Sequence, residues 1–66
     1  HIEAASHRGQ EFNFVVEGEV EWRSDEESHR LTAGDAIYYN SEIPHKIIGI
    51  GDTNAKVLAV VYEQPE

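Results

Sequence analysis

The stretch 7–18, HRGQEFNFVVEG, constrains the fold more than any other part of this chain. Over 11–16 its side chains alternate with a period of two before a glycine ends the run, which is typical of a β-strand. The two faces of this strand would hold Glu11, Asn13 and Val15 on one side and Phe12, Phe14 and Val16 on the other. Because both faces carry apolar groups, we expect neither face to be simply solvated.

The same stretch contains two potential metal ligands on one face. His7 and Glu11 are four residues apart, and in a fully extended strand they would be roughly 13 Å apart. They can meet at one ion only if the chain bends between them, which Gly9 would tolerate. His45, directly after Pro44, offers a second imidazole. Two imidazoles and one carboxylate are the ligand set of a mononuclear non-haem metal site.

Five further segments have the alternation or the β-propensity of strands, and no segment has a helical period. The predicted strands are 19–23, 28–31, 36–39, 45–50 and 55–62. Turns are predicted at 24–27, 32–35 and 40–44, and a hairpin turn at 51–54. Six short strands at this spacing predict an all-β fold, an antiparallel barrel or sandwich.

Length and charge narrow the functional classes. The 66 residues allow one domain, 1–66, and since the chain has no Met and starts at His1 we expect a fragment of a longer polypeptide. A net charge of −8, from 13 acidic and 5 basic residues, argues against binding of nucleic acid or anionic membranes by this segment. There is no Cys for a disulfide or a thiolate zinc site, and no apolar run of membrane-spanning length. We therefore expect a cytoplasmic protein.

Two spaced motifs make the chain resemble the cupin family. The first cupin motif reads Gly, His-x-His, three or four residues, Glu, six residues and Gly. His7 stands at its second His, Glu11 at its Glu and Gly18 at its closing Gly. The second motif reaches its His eleven positions after a Gly, an interval that Gly34 and His45 keep. The resemblance implies a double-stranded β-helix, or jelly-roll barrel, whose N-terminal strand or strands are missing from this sequence.

The chain departs from the cupin pattern at one ligand position and at the end of the second motif. Ala5 stands where the first His is expected, so three of the family's four metal ligands are present, and Gly49 stands where the second motif ends in Asn. The resemblance implies a divalent metal (Fe, Mn, Ni or Zn) held by His7, Glu11 and His45. The alternative is a pocket without a cofactor, in which the histidines hydrogen-bond a small molecule.

Asn13 and Tyr39 are the candidate ligand-binding residues. Asn13 would share the inner face with Glu11, and of the neighbours Tyr38 and Tyr39 one must point inward, because successive strand residues face opposite sides. His29 and the acidic loop 25–27 are expected at the surface.

The amino-acid sequence in and around the motifs also resembles the cupin domain that follows a helix-turn-helix domain in bacterial transcriptional regulators. This resemblance implies a small-molecule sensor whose partner domain binds DNA. Phe12 and Phe14 on the outer face need a cover, either the missing strands or a second subunit, and we expect a homodimer. The alternatives are a stand-alone metal-dependent enzyme of dioxygenase or isomerase type with a 2-His-1-Glu site, and a structural oligomerisation module. No catalytic residue is assigned.

Overall fold

The computed structural model describes residues 9–51 and 54–63, which form six β-strands. They are β1 Gly9–Glu17, β2 Glu19–Ser24, β3 Ser28–Thr32, β4 Ala36–Asn40, β5 His45–Ile50 and β6 Lys56–Glu63. Each strand lies within two residues of its predicted bounds, so the all-β prediction is confirmed. Within these two ranges the chain contains no helix that could cross a membrane.

The strands form two antiparallel sheets, which we call the β1 sheet and the β2 sheet after their central strands. The β1 sheet has the order β4-β1-β6, and the β2 sheet has the order β3-β2-β5. In the β1 sheet Phe12 lies opposite Tyr38 on one side and Val60 on the other. In the β2 sheet Trp22 lies between His29 and Ile47. This arrangement is the sandwich that strand number and spacing predicted, and it is consistent with the jelly roll that the resemblance to the cupin family implied.

The predicted hairpin turn at 51–54 is wrong. β5 pairs with β2 and β6 pairs with β1, so this segment crosses from one sheet to the other. Gly51 has a φ of 85°, as a turn glycine would, and residues 52 and 53 lie outside the described residues. The local turn composition was correctly recognised, but the strand pairing depends on distant segments that composition does not report.

The turn between β3 and β4 is joined to both sheets by hydrogen bonds. The Asp35 carboxylate accepts a bond from the backbone N–H of Thr32, at 2.8 Å, which closes the turn. The N–H of Gly34 donates to the carbonyl oxygen of Val15 at 2.8 Å, and the N–H of Val15 donates to the carbonyl oxygen of Asp35 at 2.9 Å. The turn thereby holds the end of β3 against the middle of the neighbouring sheet.

Glycine is required where β1 begins. Gly9 has a φ of 122°, and a Cβ atom there would lie 1.8 Å from the carbonyl oxygen of Tyr62 in β6. A side chain at this position would push β6 away from β1. Gly9 therefore allows β1 to pair along its whole length, and its positive φ agrees with the departure from extended geometry expected there.

The buried residues include an unusual share of polar side chains for so small a domain. The buried apolar or aromatic residues are Val15, Val20, Trp22 and Tyr39, and the buried polar residues are Glu11, Asn13, Ser41 and His45. Burying a carboxylate and an imidazole costs free energy unless they have polar or charged partners. The polar group in the interior therefore indicates where function should be sought.

Candidate functional site

The candidate site lies between the two sheets and draws on four strands. Glu11 and Asn13 come from the inner face of β1, and the antiparallel register places Tyr39 of β4 directly opposite Glu11. His45 begins β5, and Trp22 lies on the inner face of β2. All five residues are at most 8% exposed, so their polar atoms meet in a region that excludes most water. The inward orientation expected for Asn13 is confirmed, and of the two neighbouring tyrosines it is Tyr39 that points inward.

His45 is held in one tautomer by the backbone. Its Nδ1 atom lies 2.7 Å from the carbonyl oxygen of Ile43. Since a carbonyl oxygen can only accept a hydrogen bond, Nδ1 must carry the proton, and a neutral imidazole then has its lone pair on Nε2. That atom lies 3.6 Å from Oε1 of Glu11. A proton or a cation located between this lone pair and the carboxylate would be stabilised by both.

Asn13 orients the Glu11 carboxylate from the same strand. The side-chain amide Nδ2 of Asn13 donates to Oε2 of Glu11 at 3.2 Å and to the hydroxyl oxygen of Tyr39 at 2.7 Å. The first bond occupies the carboxylate oxygen that does not face His45. Asn13 therefore links the carboxylate to the phenol and leaves Oε1 directed at the imidazole.

The Tyr39 phenol stays neutral over the physiological range. Burial raises the pKa of Tyr39 to about 12, and the hydrogen bond and negative charge of Glu11 act in the same direction. The Asn13 amide, which donates a hydrogen bond to the phenol oxygen, and the neighbouring Trp22 side chain lower the pKa, but they do not cancel the effect of burial. The site thus contains a phenol that can donate a hydrogen bond beside the carboxylate.

Aromatic contacts fix the orientation of the His45 ring. The Trp22 indole is stacked on it with ring centroids 6.3 Å apart and an interplanar angle of 11°. The Tyr39 ring meets it edge-on, with centroids 4.6 Å apart. Trp22 and Tyr39 also contact each other at 5.0 Å. The imidazole is therefore held on two sides by rings and on a third by the Ile43 carbonyl.

Three buried polar atoms have no hydrogen-bond partner among the described residues. They are Oδ1 of Asn13, Nε1 of Trp22 and Oγ of Ser41. Buried polar atoms are rarely left unpaired in native proteins, so each is a point where a ligand or a water molecule would bind favourably. Two of the three belong to residues that contact Tyr39, at the centre of the candidate site.

The structure brings together two of the three predicted metal ligands, Glu11 and His45. His7 lies outside the described residues, and within 9–51 and 54–63 no group of three His, Cys, Asp or Glu side chains is placed to hold a metal ion. His29 is exposed, as expected, and its Nε2 lies 2.9 Å from the Glu27 carboxylate. The metal role of these residues stays a prediction.

Sequence reasoning did not assign two of the interior residues to the site. The period-two alternation of β2 places Trp22 on the same inward face as Val20. Trp22 stacks on His45 because β2 pairs with β5. The alternation of side chains along one strand does not reveal which strands pair. Ser41 follows directly after β4 and is fully buried, with its N–H donating to the carbonyl oxygen of Gly9 at 2.9 Å. No sequence signal distinguishes it from the exposed residues of the same loop.

A separate groove of about 390 Å³ lies between the loop after β2 and the loop before β5. It is lined by the 25–27 loop, Glu42, Ile43 and Pro44, and none of the five buried side chains of the candidate site lines it. The acidic loop is exposed, as expected. The chemistry of the interior is therefore not located in this groove.

The motif spacing, the two-sheet fold and the buried Glu11–His45 pair can now be compared with known proteins. A family model described as "Cupin domain" matches residues 1–61. The chain belongs to the cupin family. Searches among curated proteins and among solved structures found no match. Membership of the cupin family supports a general role in binding small molecules or metals, and the Glu11–His45 pair lies between the two sheets of this cupin.

Proposed function

We propose that this cupin domain binds a divalent metal ion through Oε1 of Glu11 and Nε2 of His45, with His7 as a third ligand. The observation that carries the proposal is the hydrogen bond from Nδ1 of His45 to the Ile43 carbonyl. Metal-binding histidines commonly donate their other ring N–H to a carbonyl or a carboxylate, which directs the free lone pair at the ion.

The spacing and the surroundings of the pair support this role. Two ligand atoms bound to one ion at about 2.1 Å with tetrahedral geometry lie roughly 3.4 Å apart, close to the 3.6 Å between the two atoms here. The bond from Asn13 to the other Glu11 oxygen and the rings of Trp22 and Tyr39 hold both ligands in place. One imidazole with one carboxylate suits Fe, Mn, Ni or Zn, and a three-ligand site supplies open positions for a donor atom of a small molecule.

We further propose that a small molecule binds next to this pair and contacts Asn13 and Tyr39. The Asn13 Oδ1 atom is buried without a partner among the described residues and would accept a hydrogen bond. The Tyr39 phenol, whose one proton is donated to Glu11, would contact the molecule through its ring. Since the site is formed by residues from both sheets, a bound molecule would favour one packing of the sheets over another, which is what a sensory domain requires.

The proposed context is a bacterial helix-turn-helix regulator in which this domain is the sensor. The motif wording and the Ala for His exchange at position 5 support this context, because a sensor needs binding without turnover. The competing proposal is a metal-dependent dioxygenase or isomerase that uses the same three ligands. The regulator and enzyme proposals predict different domains in the gene that encodes this segment. A regulator has a DNA-binding domain upstream and releases or binds its operator when metal or ligand is added.

The test of metal binding measures Mn²⁺, Ni²⁺ and Zn²⁺ affinity by calorimetry and metal content by elemental analysis, on untagged protein. Trp22 is the only tryptophan, and it stacks on His45, so quenching of its fluorescence by Mn²⁺ or Ni²⁺ reports binding at this site. We expect about one ion per wild-type chain. Glu11→Gln and His45→Ala should lower affinity by at least about 100-fold, with near-UV circular dichroism confirming that they are folded.

The matched control is His29→Ala, which removes an exposed imidazole whose ring lies 5.8 Å from that of Trp22. It should bind metal as the wild type does. If the wild type binds no metal, or if all three variants bind it equally, the metal proposal is wrong. Ligand screening by thermal shift on the metal-free protein would then test the small-molecule proposal separately.

A further inference from the structure

Two buried polar atoms next to Tyr39 have no hydrogen-bond partner among the described residues, and they need opposite kinds of partner. Oδ1 of Asn13 accepts hydrogen bonds, whereas Nε1 of Trp22 only donates one. Asn13 is 1% exposed and Trp22 is 3% exposed, so bulk water satisfies neither atom. Leaving such atoms unpaired is unfavourable, and a bound group that matches both of them would remove that cost.

The two side chains reach Tyr39 from different sheets. Asn13 lies on β1, and its amide nitrogen Nδ2 donates to the Tyr39 hydroxyl oxygen at 2.7 Å. Trp22 lies on β2, and its ring centroid is 5.0 Å from that of Tyr39. One free acceptor and one free donor are therefore carried by side chains that contact the same tyrosine. A group that binds to both must bring a donor for Asn13 and an acceptor for Trp22.

The charges near Asn13 are unfavourable for an anionic group. The same amide nitrogen of Asn13 donates to Oε2 of Glu11 at 3.2 Å, so a carboxylate lies beside the free amide oxygen. No described Lys or Arg side chain is buried, so none offsets a second negative charge in the interior. A carboxylate ligand would also place oxygen atoms, which only accept hydrogen bonds, against Oδ1 of Asn13. The interior is therefore better matched to an uncharged group.

We propose that the small molecule bound next to Tyr39 presents an uncharged group that both donates and accepts hydrogen bonds, a primary amide or a hydroxyl group, and that a carboxylate is rejected. The group donates its N–H or O–H to Oδ1 of Asn13, and its oxygen accepts the Nε1 proton of Trp22. Asn13 and Trp22 are then the specificity-determining residues, and neither is a metal ligand. This inference rests on the small-molecule site proposed above and adds the chemical class of the ligand to it.

The test follows the indole N–H resonance of the isotope-labelled chain by NMR. Trp22 is the only tryptophan, so this resonance is unique. The probes are propionamide, n-propanol and propionate, which have similar sizes and are titrated at constant ionic strength. The protein is kept metal-free, because propionate would bind a metal ion directly. We expect propionamide or n-propanol to shift the resonance saturably, with an affinity at least about 10-fold higher than that of propionate.

Two variants examine the role of the donor. Trp22→Phe keeps an aromatic ring in the interior and removes the N–H, so it should lose most of the preference for uncharged probes. Backbone resonances of β1 report binding in this variant, and circular dichroism checks its fold. The matched control is Ser41→Ala, which removes the third buried atom without a partner among the described residues. Because a hydroxyl group can donate or accept, its loss should leave the preference unchanged.

Three results would overturn the inference, and they can be told apart. If propionate binds within about 10-fold of both uncharged probes, the small-molecule site stands and the ligand class is wrong. If none of the three probes shifts the wild-type resonance saturably, the site itself is wrong together with its ligand class. If folded Trp22→Phe keeps the full preference, the indole does not select the ligand. The comparison of probes on the wild type does not depend on the stability of this variant.

Discussion

The two sheets of this cupin domain distribute polar and apolar side chains in opposite ways. The β2 sheet follows the usual rule, with Val20 and Trp22 buried inside and Glu19, Glu21 and Arg23 outside. The β1 sheet reverses it, since Glu11 and Asn13 are buried while Phe12, Phe14 and Val16 point outward.

The reversed arrangement of the β1 sheet is unfavourable for stability, which indicates a functional reason for it. Turning polar groups inward costs free energy, and leaving apolar groups outside loses the gain from burial. A sheet that does both is less stable than one with the usual arrangement unless something binds on each side. The β2 sheet then acts as the support, while the β1 sheet has the buried Glu11 and Asn13 on one face and exposed apolar side chains on the other.

The largest expected effect is the difference in the free energy of unfolding when one aromatic residue of each sheet is replaced by Ala. Trp22→Ala should lower the free energy of unfolding by about 3–5 kcal/mol, because it empties the centre of the interior. Tyr38→Ala, on the outer face of the β1 sheet, should cost no more than about 1 kcal/mol, because Tyr38 is 64% exposed. Urea unfolding at low protein concentration measures both. Equal losses would show that the β2 sheet is not the main support.

An intermediate effect is expected on the stability of the fold at alkaline pH. The pKa of Tyr39 is raised from 10.0 to about 12, so between these values the unfolded chain loses a proton that the folded chain keeps. The stability contributed by Tyr39 is therefore fully present below pH 10 and is lost as the pH rises towards 12. Unfolding measured across this range, with ultraviolet titration of the tyrosines, should show the loss in the wild type. Tyr39→Phe should lack this component, and an identical alkaline loss in that variant would contradict the assignment.

The smallest expected effect lies on the outside of the β2 sheet. Arg30 Nε lies 3.1 Å from the Glu19 carboxylate, and both side chains are partly or largely exposed. Arg30→Ala should cost less than about 1 kcal/mol, and the cost should shrink at high salt, because exposed ion pairs are screened. Thermal unfolding at low and high salt measures it. A loss comparable to that of Trp22→Ala would mean that the charged face contributes more than packing does.

Alternation predicted the strands and their inward and outward residues because that signal is local. Glu11, Asn13 and Val15 were placed on one face from period two alone, and the structure buries all three. Strand pairing is not local, and for this reason the hairpin turn at 51–54 was wrong. The residues at 51–54 favour a reversal of chain direction. The strands on either side do not pair with each other, because β5 pairs with β2 and β6 pairs with β1.

The Glu11–His45 pair was more predictable from the sequence than the residues that surround it. Motif spacing brought Glu11 and His45 together as candidates, and the structure places them 3.6 Å apart. The carbonyl that fixes the His45 tautomer and the indole that stacks on its ring could not be inferred, because both depend on the three-dimensional path of the chain. His7 lies outside the described residues, so its place in the site stays a prediction.

The pairing of β1 with β6 determines when this fold can be completed during synthesis. β2 and β3 are adjacent in sequence and can form a hairpin as soon as both have left the ribosome. β1 leaves earlier than either, yet its partner β6 is the last of the six described strands in the sequence. Until β6 is made, Phe12 and Phe14 lie on a strand with one edge open, which is the kind of nascent surface that chaperones bind. Of the six described strands, the first to be translated therefore gains its second neighbour last.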